Sequence, residues 1–224
     1  MTDSARTPLS IDMVSDVICP WCYVGFRALD WAVMALSFSN TVTVRYRPYR
    51  LDPETPEGGR DRLATLARKF PDENQRQAIR TALNEAMADV GLSFDPERPT
   101  RIPDTTQAHR LIRWAHGTDQ QREVMTALFE AYWQHGEDIS ERDVLVAAAA
   151  EAGLDADEMS ARLATSEDEA SVREEAAAFR GAGFSGVPSF IVNEQAAFAG
   201  ALPKAQLLEA IKSLETETAK ANPD

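Results

Sequence analysis

Cysteine is the scarcest residue of this chain, with two among 224, and histidine follows with three. Two cysteines cannot by themselves complete a four-ligand structural zinc site, and His109, His116 and His135 lack ligand-like spacing from them. Basic residues are also short: Lys and Arg total 23 against 36 Asp and Glu, giving a net charge of −13 and a pI near 4.7. A surface that acidic repels polyphosphate, which argues against non-specific nucleic-acid binding and against adhesion to anionic membranes. No apolar run approaches the roughly 20 residues a membrane span requires. The opening MTDSARTPLSIDMVSD lacks the basic, apolar and small-residue order of a secretory signal. The expectation is a cytoplasmic protein, and a reducing compartment disfavours a permanent structural disulfide.

A hydrophobic fraction of 44% supports one large domain or a domain carrying an insertion. Residues 9–15 alternate, with Leu9, Ile11 and Met13 on one face, and predict a half-buried strand. Residues 23–36 carry Phe26, Leu29, Val33 and Leu36 at helical spacing, and 41–51 alternate again until Pro48 interrupts them. The proline- and glycine-rich DPETPEGG at 52–59 reads as an exposed linker. From about 60 to 182 the periodicity is helical throughout, with stripes such as Ile79, Leu83, Met87 and Val90. Start signals at Ser140, Asp155 and Ser166, and stop glycines at 91, 117, 136 and 153, predict five or six helices. Strand character returns at 188–193 and 196–200. Pro203 then opens a last helix faced by Leu207, Leu208, Ile211 and Leu214, with a polar tail from Glu215 expected to fray.

Both cysteines fall in Asp16-Val17-Ile18-Cys19-Pro20-Trp21-Cys22, after a strand and at the opening of a helix. At that junction the free backbone N–H groups and the helix dipole favour thiolate at Cys19, and a spacing of two brings Cys22 within bonding reach. Pro20 suits the first helical turn, where its missing N–H costs nothing. The pair could instead be two small buried apolar groups, but proline and tryptophan between them at this junction favour a redox couple. Far along the chain, Val187-Pro188 precedes the returning strand. A cis bond there would turn the chain sharply and free the Val187 backbone for an extended substrate, as in strand addition. Asp16 is a candidate proton acceptor for Cys22, although strand-end carboxylates also serve as turn or cap groups. His109 begins a stripe with Ile112 and reads as packed more readily than as an acid–base group; Trp114, Phe129 and Trp133 read as core.

The CxxC after the first strand and the Val-Pro before the third resemble the thioredoxin fold, and the helical insertion makes the chain similar to the DsbA family. CPWCYVG at 19–25, RPYRLDP at 47–53, AHRLI at 108–112, LFEAYWQHGEDISERDVL at 128–145, GVPSFIVN at 186–193 and AFAGA at 197–201 resemble its FrnE-like branch. That branch is related to 2-hydroxychromene-2-carboxylate isomerases and kappa-class glutathione transferases. The implied fold is α/β, a thioredoxin-like domain (9–55 and 184–217) with an all-helical domain (60–182) inserted between its βαβ and ββα halves, and a polar tail at 218–224. The implied activity is thiol–disulfide exchange on protein or small-molecule disulfides, with Cys19 as nucleophile and Cys22 as resolving thiol. Pro20, Trp21, Val187, Pro188 and His109 would be substrate contacts. No tightly bound cofactor or metal is implied; glutathione enters as a candidate substrate or reductant, and a homodimer as the candidate assembly. The uncharged Trp21 suggests a potential between those of thioredoxin and DsbA, roughly −120 to −270 mV. Asp104 stands where relatives carry asparagine, which weakens any polar substrate contact there. The isomerase and transferase branches carry serine at the Cys19 position, so the cysteine favours thiol chemistry over their glutathione-dependent reactions. A redox-regulated holdase without turnover is the third alternative.

Overall fold

The computed structural model describes residues 6–56 and 58–221 of the chain. Its first unit is β1 (Thr7–Ser15), α1 (Pro20–Leu36) and β2 (Asn40–Pro48), with β1 and β2 parallel from Thr7↔Asn40 to Ser15↔Pro48. Between this unit and the returning strands come β3 (Arg60–Asp61), α2 (Arg62–Lys69), α3 (Glu73–Asp89), β4 (Arg101–Ile102), α4 (Thr106–Ala115), α5 (Gln121–Phe129), α6 (Arg142–Glu151), α7 (Ala156–Leu163) and α8 (Glu169–Gly181). A π-helical segment, Glu130–His135, continues α5. The chain closes with β5 (Ser189–Val192), β6 (Ala196–Ala199) and α9 (Lys204–Ala221). The main sheet runs β2-β1-β5-β6, with β5 antiparallel to both neighbours. Its strands therefore come from both ends of the sequence, and α1 packs against α9.

Central placement explains why β1 is not the half-buried strand its alternation predicts. Ile11, Met13 and Val14 are all fully buried, and the polar member Asp12 is only 5% exposed. A carboxylate at such a place needs partners. Arg45, its neighbour in the parallel register, binds it through Nε and Nη2 at 2.7 and 3.0 Å, and Arg47 adds a contact at 2.8 Å.

The middle of the chain departs from the predicted pattern in three ways. It is not helical throughout, because Arg60–Asp61 pair antiparallel with Arg101–Ile102. Two-residue strands carry no period, and Pro99 and Pro103 keep the second from joining a helix. Seven α-helices stand there among the described residues, not five or six. Pro71 and the Asp72 cap divide α2 from α3, and the stripe of Ile79, Leu83, Met87 and Val90 belongs to α3 and its C-cap. Asp155 caps α7 by accepting from the Glu158 amide, as its spacing predicts, but α6 and α8 begin at Glu141 and Asp168 without side-chain caps. Ser140 instead donates to Asp138, which holds the loop before α6. The carboxyl end also differs: α9 runs to Ala221 rather than fraying from Glu215. Asn40 donates to Glu215, and Asn193 to the buried Thr218, so the polar side chains find partners on the sheet. Of the tail expected at 218–224, residues 222–224 lie outside the described residues.

Aromatic rings join the sheet unit to the helices. Tyr23 of α1 stacks between Phe94 and Phe129 with centroids 5.5 and 4.7 Å away, and Phe26 meets Tyr46 and Phe129. Deeper among the helices, the fully buried Arg110 donates to the carbonyls of Glu167, Arg162 and Thr165 and lies over Trp114. Removing that guanidinium strands several acceptors at once. Arg110→Leu should lower unfolding free energy by about 3–5 kcal/mol, whereas Arg80→Ala, at an exposed pair with Glu97, should cost less than about 1 kcal/mol; urea denaturation measures both.

Candidate active site

The turn Asp16-Val17-Ile18-Cys19 joins β1 to α1, closed by the Cys19 amide on the Asp16 carbonyl at 3.1 Å. Cys19 is the residue before the helix, with extended backbone (φ −93°, ψ 114°), and Pro20 takes the first helical position. Its carbonyl accepts from the Cys22 and Tyr23 amides at 3.0 and 3.3 Å, which starts α1 and fixes the two sulfurs on one turn. Both cysteines are free thiols. Cys19 keeps 5% of its surface and Cys22 none.

The thiol of Cys19 donates to the Val187 carbonyl across 3.7 Å and 168 residues of sequence. The Val187–Pro188 peptide bond is cis. The Pro188 ring rests on α1 at Gly25, where an added Cβ would come within 2.8 Å of Pro188 Cγ. The Pro188 carbonyl accepts from Gly200, which ties this corner to the end of β6. Burial pushes the Cys22 thiol well up, and its hydrogen bond and charge contact with Cys19 push the same way. A hydrogen bond from the Asp16 backbone opposes them, and the Asp16 charge adds to the rise. Cys22 therefore rests as a neutral thiol.

Asp16 itself is fully buried. Its Oδ2 accepts from the Leu51 amide at 2.7 Å, while Oδ1 has no hydrogen-bond partner. His109 Nε2 lies 3.4 Å from that oxygen and 2.9 Å from the Tyr49 carbonyl. One residue further along the turn, the Val17 carbonyl accepts from Trp133 Nε1 at 2.9 Å. Side chains from α4 and from the π-helical segment thus hold the turn that carries the cysteines.

The DSBA-like thioredoxin domain matches residues 10–212. The chain belongs to that family. Its four-stranded sheet and α1 are the thioredoxin-like part of an α/β fold, with the helices α2–α8 inserted. Uncharacterized protein YwbO of Bacillus subtilis is 25% identical over 82% of this chain and 86% of its own length. A probable DsbA oxidoreductase of Streptomyces coelicolor, SCO1869, superposes with a TM-score of 0.83 at 27% identity, covering 93% of this chain and 91% of that one. The cytosolic disulfide reductase DsbM of Pseudomonas aeruginosa, solved with GSH, shares the fold at a TM-score of 0.61 and 18% identity, covering 93% and 98%.

Against this DSBA-like frame the remaining sequence candidates separate. Pro20, Trp21 and Val187 are half-buried around Cys19, and Pro188 is buried behind them. His109 is 3% exposed, with its Nε2 turned to Tyr49 and Asp16. Asp104 lies at the start of α4: burial raises its carboxyl, but hydrogen bonds from Thr106 and the charges of Arg50 and Arg173 bring it below the ordinary range. That makes it a brace for the helix start.

Sequence reading missed Tyr49 and Leu51, because both act through backbone atoms that no side-chain pattern reveals. Trp133 was assigned to the core, and its packing beneath Arg62, whose guanidinium lies 5.2 Å over the ring, agrees. Only its indole N–H, in need of a buried acceptor, hinted at the active-site turn.

Two outcomes follow for the DSBA-like site. Gly25→Ala should push Pro188 off α1 and cost about 1–3 kcal/mol, read as a lowered urea midpoint together with slower reaction of Cys19 with a disulfide. Because the folded state holds Cys22 protonated where the unfolded chain ionises near pH 8.5, the stability of the reduced protein is intact below that pH and lost above it. The decline should reach about 1 kcal/mol per pH unit in denaturation between about pH 7 and 9, before the buried tyrosines add to it, and should be largely removed by Cys22→Ala.

Proposed function

We propose that the protein is a thiol–disulfide oxidoreductase that cycles Cys19 and Cys22 between dithiol and disulfide. The observation that carries this is the contrast between the two thiols. Cys19 sits at the helix start with its thiol turned to the Val187 carbonyl, and Cys22 is sealed one turn behind it beside a buried carboxylate. Such an arrangement assigns entry to one sulfur and resolution to the other.

In the reducing direction Cys19, as thiolate, attacks one sulfur of a substrate disulfide. A bond forms between Cys19 Sγ and that sulfur, and the other leaves as thiolate with its electron pair. Cys22 then gives its proton to Asp16 and attacks Cys19 Sγ. The second substrate sulfur leaves as thiolate, the Cys19–Cys22 disulfide closes, and two electrons have passed to the substrate. Oxidation of a dithiol substrate is the same sequence reversed. Pro20, Trp21 and Val187 border the exposed edge of Cys19 and supply the contact surface, with Pro188 setting the corner behind them, which suits protein or small-molecule disulfides. A small thiol such as glutathione meets the need for a reductant that restores the dithiol.

Reduction of insulin by dithiothreitol tests the reading. Wild-type protein should accelerate it, Cys19→Ser should abolish the acceleration, and Cys22→Ser should accumulate a trapped mixed disulfide. Protein that leaves insulin untouched but conjugates glutathione to an aromatic electrophile would overturn the reading in favour of a glutathione-dependent transferase.

A further inference from the structure

The Asp16 carboxylate is bound on one oxygen and bare on the other, and a histidine from the insertion lies against the bare oxygen. His109 Nε2 lies 2.9 Å from the Tyr49 carbonyl and 3.4 Å from Asp16 Oδ1, with side-chain exposures of 3% and 0%. One ring nitrogen has one hydrogen to give, and the shorter contact to Tyr49 takes it. Oδ1 therefore faces the ring edge at 3.4 Å while remaining open to a proton. From α1, Asp16 faces Cys22. From the π-helical segment it faces Tyr132, whose hydroxyl is raised first by burial and in part by the Asp16 charge. The His109 ring also lines an open cleft of about 320 Å³ shared with Arg45, Arg47, Arg113 and Glu175. The imidazole is thus wedged between a charged cleft and the acid behind the dithiol.

We propose that His109 is the positioning residue of the resolving step: anchored on Tyr49, it holds the half-free Asp16 carboxyl group in place to take the Cys22 proton. The proposal rests on the oxidoreductase reading and adds which group prepares its proton acceptor. Without the ring against it the bare oxygen is free to turn, and proton transfer from Cys22 loses its acceptor geometry. The entering step is different. Attack by Cys19 on the incoming disulfide moves no proton to Asp16, so loss of His109 separates the two steps rather than slowing both.

Rapid mixing of reduced protein with one equivalent of the aromatic disulfide dithiobis(nitrobenzoate) reads the steps apart. Attack by Cys19 releases the first coloured thionitrobenzoate, and attack by Cys22 on Cys19 Sγ releases the second. His109→Leu should leave the first phase unchanged and slow the second about tenfold or more. His109→Gln, whose amide retains an N–H for Tyr49 and Asp16, should recover most of the second phase. Asp16→Asn should slow it as His109→Leu does, and combining the two should add no further slowing. The assignment is overturned if His109→Leu resolves at the wild-type rate, if both variants of His109 slow the two phases alike, or if His109→Leu slows resolution further in the Asp16→Asn background. Wild-type protein that releases only one equivalent overturns the oxidoreductase reading itself.

Discussion

A carboxylate with no exposed surface is the constraint around which this structure is arranged. Asp16 ends the central strand directly before the turn that carries Cys19 and Cys22, and burying its charge is costly unless polar groups are brought to it. The chain brings the Leu51 amide from the segment after β2 and His109 from α4. Each partner comes from a different part of the sequence. Meeting the needs of one side chain therefore fixes the register of the segment after β2, the approach of the inserted helices and the position of the dithiol together.

The insertion is consequently part of the site and not a cover laid over it. Trp133 binds the Val17 carbonyl, His109 binds Tyr49, and Gln121 spans the Tyr46 backbone and the Ile112 carbonyl. These contacts reach the β1–α1 turn and β2 from the helical side, while the returning strands reach it from the other through Val187 and Pro188. Rigid support on two sides would suit the proposed thiol exchange, in which Cys19 Sγ gives up its hydrogen bond on Val187 for a bond to Cys22. The packed aromatic seam of Tyr23, Phe26, Phe94 and Phe129 supplies the stiffness.

The elements that position the cysteines were legible because their sequence signals are local. Alternation marked β1 and β2, the CPWC run marked the helix start, and the ordered motifs marked the family. What stayed hidden depends on distant partners. Asp12 reads as the solvent side of an alternating strand, and only the Arg45 and Arg47 side chains beside it show why the strand is buried on both faces. The β3–β4 ribbon is too short to have a period, and helical periodicity alone does not separate α2 from α3. Asp16 and His109 each carry a signal of their own, but nothing in their separation of 93 positions indicates that they face one another at 3.4 Å. Tyr49 and Leu51 contribute only backbone atoms, which leave no trace in residue type.

The central claim is that Cys19 and Cys22 form a working two-electron couple. Equilibration of the purified protein in glutathione buffers of graded ratio, followed by acid quenching and thiol alkylation, measures it directly. The account predicts one reversible transition in which both thiols are lost together, with a midpoint between roughly −120 and −270 mV, absent from Cys19→Ser and Cys22→Ser. Two thiols that stay reduced across that whole range would contradict it.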